Sequence, residues 1–158
     1  MVDRWERPLV RYALTITGDL EQARDVVQDT FLRLHREKER DGMPVQLSAW
    51  LFKVCRHRAL DVRKKENRMK LLGEQRMDAI PSHEPPQAAA TDRQDSAAQI
   101  SQMLGGLPEN QQEVLRLRFE NELSYREISE VTGLTVTNVG YLLHRAIKTL
   151  RQEMNTTG

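Results

Sequence analysis

Residues 124–151 read SYREISEVTGLTVTNVGYLLHRAIKTLR, and this stretch decides the fold. Ser124-Tyr125-Arg126-Glu127 has the spacing of a capping box, in which the Ser124 hydroxyl accepts the Glu127 amide and the Glu127 carboxylate reaches back. A helix therefore starts there, with Ile128 and Val131 on its apolar side. Gly133 follows, where a residue without Cβ can adopt the left-handed conformation that ends a helix. Thr135 can cap a second helix, in which Val136, Val139, Leu142, Leu143, Ala146, Ile147 and Leu150 recur with a helical period. The opposite stripe holds Thr137, Tyr141, His144 and Lys148, flanked by Asn138 and Arg145. Hydrogen-bonding groups stand toward its start and cations toward its end, as on a helix that meets base edges first and phosphate afterwards. A lone amphipathic helix with a solvated face would show the same stripe. The order of cap, tight turn and second cap favours a DNA-binding helix-turn-helix.

Working outward, the chain of 158 residues has 24 Lys and Arg against 23 Asp and Glu, a formal charge of only +1. Bulk charge does not mark a nucleic-acid binder; its distribution says more. Residues 1–70 hold sixteen Lys and Arg against eleven Asp and Glu, 71–110 two against six, and 111–158 six against six. Helix formers abound and the alternation of half-buried strands is missing, so the fold class is all-α. No run of ~20 apolar residues spans a bilayer, and no secretory apolar region opens the chain, so a cytoplasmic protein without membrane insertion is expected. Cys55 is the single cysteine, and His35, His57, His83 and His144 are scattered, so neither a metal site nor a cofactor is expected. Paired carboxylates in a pocket, a nucleophile with its base and a phosphate-binding glycine loop are also missing, which argues against an enzyme.

Toward the front, a helix is predicted from about Trp5 to Thr17, with Leu9, Tyr12, Ala13 and Ile16 inward, Pro8 in its first turn and Gly18 at its end. Asp19 caps a second helix, Gln22 completing a capping box, with Leu20, Ala23, Val26, Val27, Thr30, Phe31 and Leu34 as the buried stripe. The charge run Arg36 to Asp41 closes it, and Asp41-Gly42-Met43-Pro44 reads as a loop. A third helix is predicted from Ser48 to about Lys65, with Leu51, Val54, Cys55 and Val62 inward and Lys53, His57, Asp61 and Lys64 outward. The pattern lapses between about Glu66 and Ser96, where prolines and acidic residues suggest a flexible linker. A further helix is expected from near Asp95 to Gly105-Gly106. Pro108 then opens another, with Val114, Leu115, Leu117 and Phe119 as core. Two small helical domains result, 1–70 and 96–158, joined by a linker over 71–95.

Three segments carry a resemblance. Ala23-Arg24-Asp25-Val26-Val27-Gln28-Asp29-Thr30-Phe31 resembles the core-binding helix of the extracytoplasmic-function class of bacterial sigma factors. Ala49-Trp50-Leu51-Phe52-Lys53-Val54 through Ala59-Leu60-Asp61 resembles the family's promoter −10 helix, and Leu107-Pro108 through Leu150 its region four. The resemblance implies a factor that directs RNA polymerase to promoters. It implies docking on the β′ clamp helices through Asp25, Gln28 and Phe31, and a further contact with the β flap; Asp29 and Leu32 face away from the buried stripe and join Asp25 and Gln28 as the expected partner surface, an apolar anchor with a polar rim. For the −10 element it implies Lys53, Arg56, His57, Arg58, Asp61, Arg63 and Lys64. For the −35 element it implies Thr135, Thr137, Asn138, Tyr141, His144, Arg145 and Lys148. An anti-sigma protein would cover the same surfaces, which leaves it open as a partner. The family commonly has Asn where His57 stands, and a Lys and an Arg where Gly140 and Leu142 stand. A helix-turn-helix repressor that binds DNA without polymerase is the alternative reading.

Overall fold

The computed structural model describes residues 2–72 and 102–157, and among them every regular element is helical. Contacts along the backbone group the chain into two compact units, Met1–Gln75 with Arg126–Leu134 and Arg76–Tyr125 with Thr135–Gly158.

In the first unit α1 (Val2–Thr17), α2 (Leu20–Asp41) and α3 (Leu47–Leu72) pack on one another pairwise. Leu9, Tyr12 and Ala13 from α1, Ala23, Val26 and Val27 from α2, and Leu51, Phe52, Cys55 and Ala59 from α3 are buried. The Tyr12 and Phe52 rings meet edge to face at 5.3 Å, the arrangement that the aromatic quadrupole favours. Thr30 is fully buried, and its hydroxyl donates to the Val26 carbonyl one turn back at 2.8 Å, so it enters the core without an unsatisfied group. Cys55 lies beside it, its thiol directed at the Leu9 carbonyl at 3.8 Å.

Several details depart from the sequence reading. α1 begins at Val2, so Pro8 stands inside the helix and not in its first turn. The N–H it lacks would have reached the Arg4 carbonyl, which belongs to an exposed residue where solvent can substitute. Asp19 caps α2 by accepting the Glu21 N–H at 2.9 Å. Gln22 does not complete a capping box: its side-chain amide donates to the Glu66 carboxylate on α3. Leu20, the first residue of α2, is 43% exposed and does not belong to the buried stripe. α3 continues to Leu72, well beyond Lys65. Its last turns are exposed, Met69, Leu71 and Leu72 included, and periodicity reports burial, not helicity.

In the second unit a helical turn covers 102–105, and α4 (Glu109–Phe119) follows Pro108. Val114, Leu115 and Leu117 are buried as expected. Phe119 is 61% exposed and is not core, since α4 ends there and its side chain leaves the apolar face. The Glu120 and Asn121 amides both donate to the Arg116 carbonyl, at 2.9 and 3.2 Å, which folds the chain back toward Leu123. α5 (Tyr125–Thr132), which begins directly after Ser124, groups from Arg126 onward with the first unit, while α6 (Val136–Thr157) packs on α4 in the second. The linker expected over 71–95 lies, from residue 73 onward, outside the described residues, as does the helix expected over 95–101.

Candidate promoter and polymerase interfaces

The turn between α5 and α6 is tied by five short-range hydrogen bonds. Thr132 Oγ1 donates to the Ile128 carbonyl at 2.8 Å, and the Leu134 N–H donates to Thr132 Oγ1 at 3.2 Å. The Ser129 hydroxyl donates to the Leu134 carbonyl at 2.6 Å. Gly133, with φ +81°, donates to the Ser129 carbonyl at 2.9 Å, the left-handed stop that its lack of a Cβ permits. Thr135 Oγ1 then accepts the Asn138 N–H at 3.1 Å and so caps α6. The stop of α5 and the start of α6 are thereby each set by local chemistry. Ile128, Val131, Val139, Leu142, Leu143 and Ala146 are buried, whereas Val136, expected inward, is 45% exposed in the first turn.

Thr137, Asn138, Tyr141, His144, Arg145 and Lys148 are all exposed on α6. The Arg145 guanidinium sits 5.9 Å from the Tyr141 ring centre, a cation–π contact between neighbouring turns. Leu142 is only 7% exposed, so that position belongs to the packed side of this helix. At Gly140 the ring of Tyr125 closes in: a Cβ there would stand 3.5 Å from its Cε2 atom. Arg118 stacks on the same ring at 5.5 Å and donates from Nη1 to the Leu123 carbonyl at 3.0 Å. An Arg on α4 thus stands beside the ring that packs on α6, which the sequence reading missed; only the tertiary fold brings residues 118, 125 and 140 together.

On α3, Lys53, His57, Asp61 and Lys64 form an exposed stripe, with Arg56 and Arg63 half-buried beside it. Arg58, also exposed, reaches across to α2: its Nε donates to Asp29 Oδ2 at 3.0 Å. On α2, Asp25, Gln28 and Leu32 are exposed, Leu32 by 56%, while Asp29 and Phe31 are half-buried. Three of the five residues singled out for polymerase therefore form an open ridge, and Phe31 divides its surface between ridge and core. No grouping of His, Cys, Asp and Glu among the described residues could hold a metal ion. No helix among them is long and apolar enough to cross a membrane.

Two family models match the chain in order: sigma-70 region 2 over residues 1–69 and sigma-70 region 4 over residues 97–150. The ECF RNA polymerase sigma factor SigL of Mycobacterium tuberculosis is 30% identical over all of this chain and 89% of its own length. The chain belongs to the extracytoplasmic-function sigma factors of the sigma-70 family. A second relative of this sigma factor, SigM of Bacillus subtilis, is 29% identical over 92% of the chain and 87% of its own length. Two solved structures share the fold. The sigma factor RpoE from Bartonella quintana, crystallised with the anti-sigma factor NepR, matches with a TM-score of 0.71 at 21% identity, over 98% of this chain and 94% of that one. CnrH in complex with the cytosolic domain of CnrY matches with 0.63 at 23% identity, over 99% and 86%. As an RNA polymerase sigma factor, the protein is a transcription initiation factor acting with RNA polymerase on promoter DNA.

Proposed function

We propose that residues 1–70 bind core polymerase and the −10 element, that 96–158 bind the −35 element, and that 71–95 join them as a flexible linker. The observation that carries this reading is the exposed polar face of α6 on a helix whose start is set by the Thr135 cap. Asn138 and Thr137, near that start, read base edges in the major groove; Tyr141 and His144 lie along the groove; Arg145 and Lys148 hold phosphate. On α3, Lys53, Arg56, Arg58, Arg63 and Lys64 neutralise phosphates around the −10 element, each worth about one unit of salt dependence. His57 and Asp61 lie on the same face as hydrogen-bonding groups. The α2 ridge of Asp25, Gln28 and Leu32, with Asp29 and Phe31 at its edges, docks on the β′ clamp helices, an apolar anchor with a polar rim. The second unit meets the β flap.

The protein works in the cytoplasm and catalyses no reaction of its own. RpoE is held by the anti-sigma factor NepR, and an inhibitor of that kind is a corresponding partner for this chain. The deciding experiment is run-off transcription from a genomic fragment library with core polymerase, with and without the protein. New start sites are expected. Tight palindromic DNA binding with no new start sites would favour a repressor instead. Asn138→Ala should alter preference at −35 positions, whereas Lys148→Ala should weaken all promoters similarly; equal effects would contradict the division between base reader and phosphate clamp.

A further inference from the structure

Between Asn138 and His144, helix α6 presents a single side chain to solvent. Val139 and Leu143 are buried, Leu142 is only 7% exposed, and Gly140 has no side chain to present. That leaves Tyr141, which is 57% exposed. One turn further on, the Arg145 guanidinium stands 5.9 Å from the centre of the Tyr141 ring. The cation restrains the ring and covers part of it, and the remaining carbon surface stays open. Around this ring the exposed face is made of a hydroxyl, an amide, an imidazole and cations, supplied by Thr137, Asn138, His144, Arg145 and Lys148. An aromatic surface at the middle of such a face meets whatever the middle of the face meets.

We infer that Tyr141 is a specificity-determining residue of the −35 contact, its ring packing on the C5 methyl of one thymine while Arg145, stacked against it, reaches phosphate. The inference rests on the assignment of α6 to the −35 element and adds to it a base preference. In the major groove the base edges carry hydrogen-bond donors and acceptors and one alkyl group, the thymine methyl. A ring set against a donor or acceptor strips water from that group and returns no bond. Set against the methyl, it removes apolar area from water on both sides. Thr137 and Asn138 stand one turn earlier with hydrogen-bonding groups, so the A·T pair read by the ring lies next to those they contact, toward the end that Arg145 and Lys148 hold. With Gly140 and the buried Leu142 on either side of Tyr141, discrimination at that pair falls to the ring.

The test uses holoenzyme assembled from core polymerase and the full chain. It first enriches binders from a promoter library randomised over the −35 element, and the enriched duplex is then remade with deoxyuridine in place of each thymidine in turn, on either strand. One replacement should weaken holoenzyme binding about fourfold, the effect of one buried methyl group, and the others should change it little. Tyr141→Ala should bind the thymine and uracil duplexes equally, whereas Tyr141→Phe should keep the difference. Lys148→Ala should weaken both duplexes and preserve their ratio. Because the readout is a ratio between two duplexes for one protein, a partly folded variant lowers both affinities without moving it. A uracil effect that survives Tyr141→Ala, the same affinity for uracil at every position, or an enriched element without a fixed A·T pair would overturn the inference and leave α6 on the −35 element. Loss of the difference in Tyr141→Phe would assign the contact to the hydroxyl and overturn it as well. A library that yields no enriched −35 element would instead remove the assignment of α6 itself, and the inference with it.

Discussion

Arg58 Nε donates to Asp29 Oδ2 at 3.0 Å, so a cation of the face proposed for −10 DNA is tied to a carboxylate at the edge of the face proposed for polymerase. Both side chains are about half exposed, at 52% and 45%, and a pair of that kind contributes at most about 1 kcal/mol to stability. Its larger effect is on availability. Asp29→Asn should leave the melting temperature nearly unchanged and raise the affinity of the free protein for −10 duplex. Arg58→Gln should lower that affinity and reduce the salt slope by about one unit. A double-mutant cycle on DNA binding isolates the coupling. Purely additive effects would mean that the pair does not restrain Arg58.

Gly140 poses a separate question, since glycine inside a helix costs about 1 kcal/mol relative to alanine. A methyl group there would meet Tyr125 Cε2 at 3.5 Å, ordinary van der Waals distance. Gly140→Ala should therefore stabilise the second unit by roughly 0.5–1 kcal/mol in urea denaturation. Gly140→Lys is different, because its longer side chain is restricted to rotamers that clear the Tyr125 ring, on which Arg118 stacks, and should stabilise less than alanine. If alanine destabilises the protein instead, the backbone at this turn of α6 must need more freedom than a helical residue has.

Much of this molecule was legible in its sequence, and what was missed has a common cause. The caps at Asp19 and Thr135 and the stop at Gly133 are local chemistry, settled within a few residues, and all three stand where the spacing placed them. The exposed stripes of α3 and α6 followed from the helical period. By contrast, Gln22 bonding Glu66, Arg58 bonding Asp29 and Tyr125 lying on Gly140 join residues far apart in the chain, and no periodicity encodes such pairs. Phe119, Val136 and Leu20 were misplaced for a related reason. They are apolar residues in the first or last turn of a helix, where the partner that would bury them has already ended. For the polymerase ridge, Asp25, Gln28 and Leu32 could be set outward by spacing, while Phe31 lies on the boundary between ridge and core.

Glu122 is the one non-glycine residue with positive φ among the described residues, at 55°. It stands between α4 and α5, where the chain reverses and the Leu123 amide donates to the Leu117 carbonyl at 3.0 Å. A left-handed L-residue costs roughly 1–2 kcal/mol, partly offset in a glycine variant by the greater freedom of the unfolded chain. Glu122→Gly should accordingly raise stability by about 0.5–1 kcal/mol, and Glu122→Val should lower it by at least as much. Denaturant midpoints of the two variants check both signs. A glycine variant no more stable than the parent would place the strain elsewhere in the turn.

Cys55 gives the protein a pH dependence whose sign is fixed by burial. Desolvation raises the thiol from its usual 9.0 to about 12, with a hydrogen bond to Thr30 acting the other way. The folded state therefore keeps the thiol protonated up to about pH 12, whereas the unfolded chain ionises it above about 9. Stability from this group is complete below pH 9 and is lost as pH rises toward 12, the unfolded chain having released the proton first. At pH 10.5 the loss should be about 2 kcal/mol, a linkage figure good to order of magnitude. Lys and Tyr titrate over the same range, so the measurement is a difference: urea unfolding of the first unit at pH 8 and pH 10.5, for the parent and for Cys55→Ala. The alanine variant should be less stable at pH 8, where it lacks the packed sulfur, and the gap should narrow by pH 10.5. A constant gap would show that the thiolate is accommodated in the core. Slow reaction of the native thiol with a disulfide reagent, accelerating only on unfolding, is the independent expectation from the same burial.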